Sequence, residues 1–98
     1  MDKVDFPLVD VLRVRPLDGN KLWLLFSNGF EGTRDVSDIL SSSGAMVQPL
    51  LDAQFFDKVF IEMGAPTWPN GFDLDPINLF MELRDATLLK PANANAAE

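Results

Sequence analysis

Residues 21–27 alternate so that Leu22, Leu24 and Phe26 point one way and Trp23 and Leu25 the other, and Asn28-Gly29 closes the run. A period of two belongs to a strand. An Asn-Gly pair between strands signals a hairpin, because a type I′ turn needs two residues tolerant of positive φ. Residues 30–36 are therefore expected to return antiparallel. Within them Gly32, Glu31 and Arg34 are more typical of an edge strand than of a buried centre. Upstream, residues 8–16 carry Leu8, Val9, Val11, Leu12 and Val14, with Arg13 and Arg15 alternating near the end, and Asp18-Gly19-Asn20 follows as a turn. The three runs predict an antiparallel meander.

The remaining segments are shorter. Asp or Ser can cap a short helix in Asp35-Val36-Ser37-Asp38-Ile39-Leu40. Residues 46–57 suit an irregular connection with one helical turn, anchored by Phe55 and Phe56. Residues 58–63 alternate as a fourth strand. Gly64-Ala65-Pro66 then predicts a turn, and Thr67-Trp68 a short extended piece held straight by Pro69. Asp75 followed by Pro76 and apolar residues at helical spacing predicts a capped helix over residues 75–84. Past residue 85 the chain turns to Ala, Asn and Pro, with no apolar side chain larger than alanine after Leu89. The expected fold is α+β, a small antiparallel sheet (a three-stranded meander plus a fourth and a short fifth strand) with short helices. It forms one domain over residues 1–85 and a flexible tail over 86–98.

At 98 residues there is material for one hydrophobic core, and 47% hydrophobic with 23% charged residues is the balance of a globular chain. No apolar run reaches the ~20 residues that cross a bilayer, and the start lacks a signal peptide. The expected setting is cytoplasmic, without membrane contact. The chain has no Cys, His or Tyr. That removes thiolate chemistry, the commonest general base and metal ligand, and the phenolic acid together. No catalytic residues and no cofactor are expected. A net charge of −7 would repel a phosphate backbone, so direct nucleic-acid binding is not expected either.

The order of Phe26-Ser27-Asn28-Gly29, Asp35 before a short helix, Leu51-Asp52 with Phe55-Phe56, then Trp68-Pro69-Asn70-Gly71-Phe72-Asp73-Leu74-Asp75-Pro76 resembles domain of unknown function 2442, a bacterial family. The similarity covers roughly residues 8–84, and Trp-Pro-Asn-Gly-x-Asp-x-x-Pro is its most specific part. The resemblance implies a compact α+β domain, often encoded beside another small protein in an arrangement similar to toxin–antitoxin pairs. Some relatives of this kind carry a C-terminal helix-turn-helix domain. It implies no catalytic motif.

Two groups of residues are candidates for function. In the 68–75 loop, Trp68, Asn70, Phe72, Asp73 and Asp75 could form an interaction or ligand site, and two carboxylates two residues apart could meet a hard cation. Local backbone bonding explains them as well: Asn70-Gly71 as a turn, Asp75 as a helix cap and Asp73 as a brace. No metal site is expected from them. The second group is Trp23, Glu31 and Thr33, a surface anchor and two edge-strand positions. Trp68, Phe26 and Phe80 are expected in the core, with Trp23 or Phe72 nearer the surface. The leading expectation is a protein-interaction module, an antitoxin-like or regulatory partner of a small neighbouring protein. Its partner would be basic, given the acidic balance, and a homodimer through the sheet edge is compatible with it. The alternative is small-molecule or metal binding on the 68–75 loop.

Overall fold

Three alternating runs fold as the expected meander: β1 (Val11–Leu17), β2 (Lys21–Phe26) and β3 (Phe30–Asp35) pair antiparallel in chain order. The computed structural model describes residues 8–42 and 44–92. The first turn places Gly19 and Asn20 at positive φ, 81° and 62°. The second turn departs from the expected type I′ form. It takes three residues, Ser27, Asn28 and Gly29; Gly29 donates its N–H to the Phe26 carbonyl (3.1 Å), and of the pair only Gly29 has positive φ, 91°. This is a type I turn followed by a left-handed glycine, the usual three-residue hairpin loop. The Asn28 side chain braces it by accepting the Phe30 N–H at 3.4 Å.

Leu22, Leu24 and Phe26 share one face of β2 and are buried with Val11 of β1. The other segments cover this face. A short α1 (Ser37–Leu40) follows β3, a 3-10 turn (Gln48–Leu51) and α2 (Ala53–Phe56) form the irregular connection, and α3 (Pro76–Asp85) lies against β3. Phe80 of α3 meets Phe26 edge to face, with ring centroids 5.2 Å apart. Trp68, Phe26 and Phe80 are all buried, as their apolar area requires. At α1 the expected Asp or Ser cap is not used: Val36 precedes the helix, and Asp35 instead accepts the Ser37 N–H and hydroxyl at 2.9 and 2.6 Å.

Three expectations are corrected. The fourth and fifth strands do not extend the meander. β4 (Phe60–Glu62) and β5 (Ala65–Thr67) pair with each other as a separate two-stranded sheet. Their turn is Met63-Gly64, both at positive φ (53° and 79°), rather than Gly64-Ala65-Pro66. Pro66 pairs with Ile61 inside the hairpin, and its ring is compatible there because the sheet is only two strands wide. Finally, β3 is not the outermost strand. Lys90–Pro91, in the segment expected as tail, forms β6 and pairs with Phe30 and Glu31, giving the order β1-β2-β3-β6. Residues 93–98 of that tail lie outside the described residues.

Candidate functional site

The 68–75 loop is a second hairpin tip. Trp68 donates its N–H to the Phe72 carbonyl and Gly71 donates to the Trp68 carbonyl, both at 2.8 Å, and Gly71 has φ 91°. Pro69 supplies the fixed φ of the first turn position. Asn70 works in both directions: its Oδ1 accepts the Phe72 N–H at 3.2 Å and its Nδ2 donates to the Met46 carbonyl at 2.9 Å. The Trp68 ring is buried between Phe56 and Phe72, with centroids 5.8 and 5.9 Å away, and its Nε1 donates to the Phe56 carbonyl at 2.9 Å. Asp73 bridges Thr67 through the backbone, its side chain exposed. Asp75 caps α3 by accepting the Ile77 N–H at 3.0 Å, with Pro76 in the first helical turn. The loop's signature residues thus hold the loop, the core and the helix start together. Among the described residues no group of three or more acidic side chains stands close enough to hold a metal ion.

The other group comes together on the face of the large sheet that looks away from the core. The register sets its rows: Arg13, Leu25, Glu31 and Lys90 stand side by side across β1, β2, β3 and β6, and Arg15, Trp23 and Thr33 form the next row. Directly opposite residues share a face and touch. Trp23, half-buried, donates its Nε1–H diagonally to Glu31 Oε1 at 2.7 Å, while the Arg15 guanidinium carbon lies 5.2 Å from its ring centroid. Both contacts hold the indole across the sheet. Glu31 is 9% exposed, its carboxylate turned into this cluster. Trp23, Glu31 and Thr33 line one depression of about 400 Å³ together with Gly32, Leu88 and Lys90.

The edges of this sheet are guarded. Ala92 donates to the Gly29 carbonyl at 2.8 Å, so in the β3–β6 ladder the odd-numbered residues of β3 turn their N–H and C=O outward. Glu31 meets Lys90 there. Thr33 faces the same way past the end of β6, where Leu88 donates its N–H to Leu83 instead (2.9 Å). At the opposite edge, β1 carries Pro16, the two arginines and a bulge between Val11 and Arg13. Charge, proline and bulge are the devices that discourage strand addition. The accessible part of this sheet is therefore its face, where Arg13, Arg15 and Lys90 are exposed around partly buried Trp23 and Thr33 and buried Leu25 and Glu31.

Displaced ionisation belongs to a different place. Arg34 of β3 donates to Asp38 Oδ1 (3.0 Å) and Oδ2 (3.2 Å) of α1, to Glu82 of α3 (2.9 Å) and to the Asp35 carbonyl. The hydrogen bond from Arg34 holds the Asp38 carboxyl below its ordinary value, and the same pairing raises the pKa of Arg34. Asp35 is lowered by the Ser37 hydroxyl and N–H. This network clamps β3, α1 and α3 and lies outside the depression.

The family model described as "Protein of unknown function (DUF2442)" matches residues 11–85. The chain belongs to the DUF2442 family. No curated protein and no solved structure matches it significantly. The span matched to DUF2442 opens on the first residue of β1 and closes on the last of α3, so it takes in the meander and the 68–75 loop and leaves out β6. Arg13, Arg15 and Lys90 complete the face, and sequence reasoning did not place them there. The alternation of Arg13 and Arg15 was the available signal; pairing it in register with Trp23 and Leu25 would have put both on the indole's side.

Proposed function

We propose that this chain is a protein-interaction module without catalysis of its own, and that its partner docks on the outward face of the four-stranded sheet. The observation that carries the reading is Trp23, an indole held half-open at the centre of that face by Glu31 and Arg15, beside a depression shared with Thr33. A preorganised aromatic amid polar neighbours is the usual anchor of an interface. The absence of His, Cys and Tyr supports the non-enzymatic half. The family resemblance supports an antitoxin-like or regulatory role toward a small protein encoded nearby. The competing ligand site on the 68–75 loop has less support, because Asn70 and Asp75 are already occupied with backbone groups.

Site-specific photocrosslinking in the native cell tests this. A photoreactive residue at Thr33 should trap one protein, and the same residue at Gln54, on α2, should trap none. Trp23→Ala should abolish the Thr33 product while circular dichroism stays unchanged. Equal trapping from both positions, or persistence of the product in Trp23→Ala, would overturn the reading.

A further inference from the structure

We infer, resting on that docking face, that the partner's contacting segment is an extended, carboxylate-rich stretch, the reverse of what the overall charge suggests. The chain carries 15 acidic and 8 basic residues. Its charges are not evenly spread. The two central rows of the face bring together Arg13, Arg15 and Lys90 around Trp23, against the single acid Glu31. Glu31 is also the acid least available to repel a ligand, since it is nearly buried and accepts the Trp23 Nε1–H at 2.7 Å. Of the flanking rows, one sets Lys21 opposite Asp35 and is self-neutralising, and the other adds one acid, Asp10 opposite Ser27, which leaves the cations of the face in excess. At physiological salt, charges more than about 8 Å apart are largely screened. A docked segment therefore responds to these rows rather than to the total of −7.

The geometry narrows the ligand further. Arg13 and Arg15 lie two residues apart on one strand, about 7 Å, which is also the spacing of alternate side chains in an extended partner. A segment with Glu or Asp at every second position would present one carboxylate to each guanidinium fork, the bidentate pairing that arginine favours. Its intervening side chains would point away from the face, as the two-residue period of an extended segment requires. A single-stranded nucleic acid fits less well. Such ligands need aromatic platforms for successive bases. Trp23 is the one aromatic in these two rows, and the Arg15 guanidinium already lies over its ring.

The test uses the full chain and labelled probes read by fluorescence anisotropy: a peptide of alternating Glu and Thr, one of alternating Lys and Thr, and oligo(dT). The Glu–Thr peptide should bind, with affinity falling as salt is raised. Arg13→Gln with Arg15→Gln should weaken it by about tenfold or more, while Lys58→Gln, off this face, should leave it unchanged. Preference for the Lys–Thr peptide, failure to bind the Glu–Thr peptide, or indifference to the double substitution would overturn the inference. Tighter, arginine-dependent binding of oligo(dT) would overturn it in favour of nucleic acid. Crosslinking from Thr33 separates the two levels: a partner trapped there by a protein that ignores the Glu–Thr peptide leaves the docking face standing and removes only the acidic segment.

Discussion

The two tryptophans show how far residue type alone can be interpreted. Trp68 is 1% exposed, packs against Phe56 and Phe72 and donates to a backbone carbonyl, so its role is structural. Truncating it to alanine opens a cavity and leaves the Phe56 carbonyl with only the longer bond from the Val59 N–H, 3.4 Å; we expect Trp68→Ala to cost about 3–5 kcal/mol in urea unfolding and to leave little cooperative transition. Trp23→Ala should cost less than Trp68→Ala, because Trp23 lies on the outward face and is only partly buried. That contrast was legible: a tryptophan locked extended before Pro69 and followed by a turn belongs inside, and one on the second face of an alternating strand is free to be outside. Gly32 was legible only in part. It suggested an edge, whereas its role is close approach, since a Cβ there would stand 3.0 Å from the Leu88 carbonyl oxygen and 3.1 Å from Leu83 Cδ1. Gly32→Ala should destabilise by about 1–3 kcal/mol, as overpacking does, measurable as a fall in the urea midpoint.

At the scale of elements, turns and caps carried most of the information. The capped α3 and the meander follow from Asp75-Pro76 and from strict alternation, each a local rule. The two Asn-Gly pairs adopt one shared loop, aromatic-x-Asn-Gly-Phe, at Phe26–Phe30 and again at Trp68–Phe72, with the same i to i+3 bond and the same Asn brace. The pair predicted a hairpin correctly and the turn type wrongly, because loop length is set by the flanking register. β6 was illegible. Lys90-Pro91 has no alternation to detect, and its pairing with Phe30 and Glu31 depends on a tertiary path around α3. Glu31→Pro removes an N–H that faces Lys90, together with the acceptor of Trp23, whereas Thr33→Pro removes one that faces no strand among the described residues. Glu31→Pro should therefore lower stability by about 1 kcal/mol or more beyond Thr33→Pro. Equal losses in thermal unfolding would show that the ladder direction is misassigned.

For the molecule as a whole, charge is the property that composition described least well. A net of −7 suggested a basic partner, and register nonetheless gathers three cations on one face and a clamp on another side. Summed charge has no geometry, and only strand pairing supplies it. The clamp sets the pH response. Arg34 is 15% exposed and joins Asp38 and Glu82, whose side chains are 66% and 50% exposed, so solvent screening limits the contribution to about 1 kcal/mol. Asp38 and Asp35 both have folded values below the ordinary 3.8. A carboxylate whose pKa is lowered by folding binds fewer protons in the native state, so its contribution is present above the unfolded value and is lost as pH falls through the folded one. Parent and Arg34→Gln should therefore differ by about 1 kcal/mol near neutrality, the gap holding down to about pH 4 and closing as acid protonates Asp38 in the native state. Urea unfolding across that window decides the matter: a gap that stays constant below pH 3.8 would show that Arg34 stabilises through packing of its stem rather than through the Asp38 carboxylate.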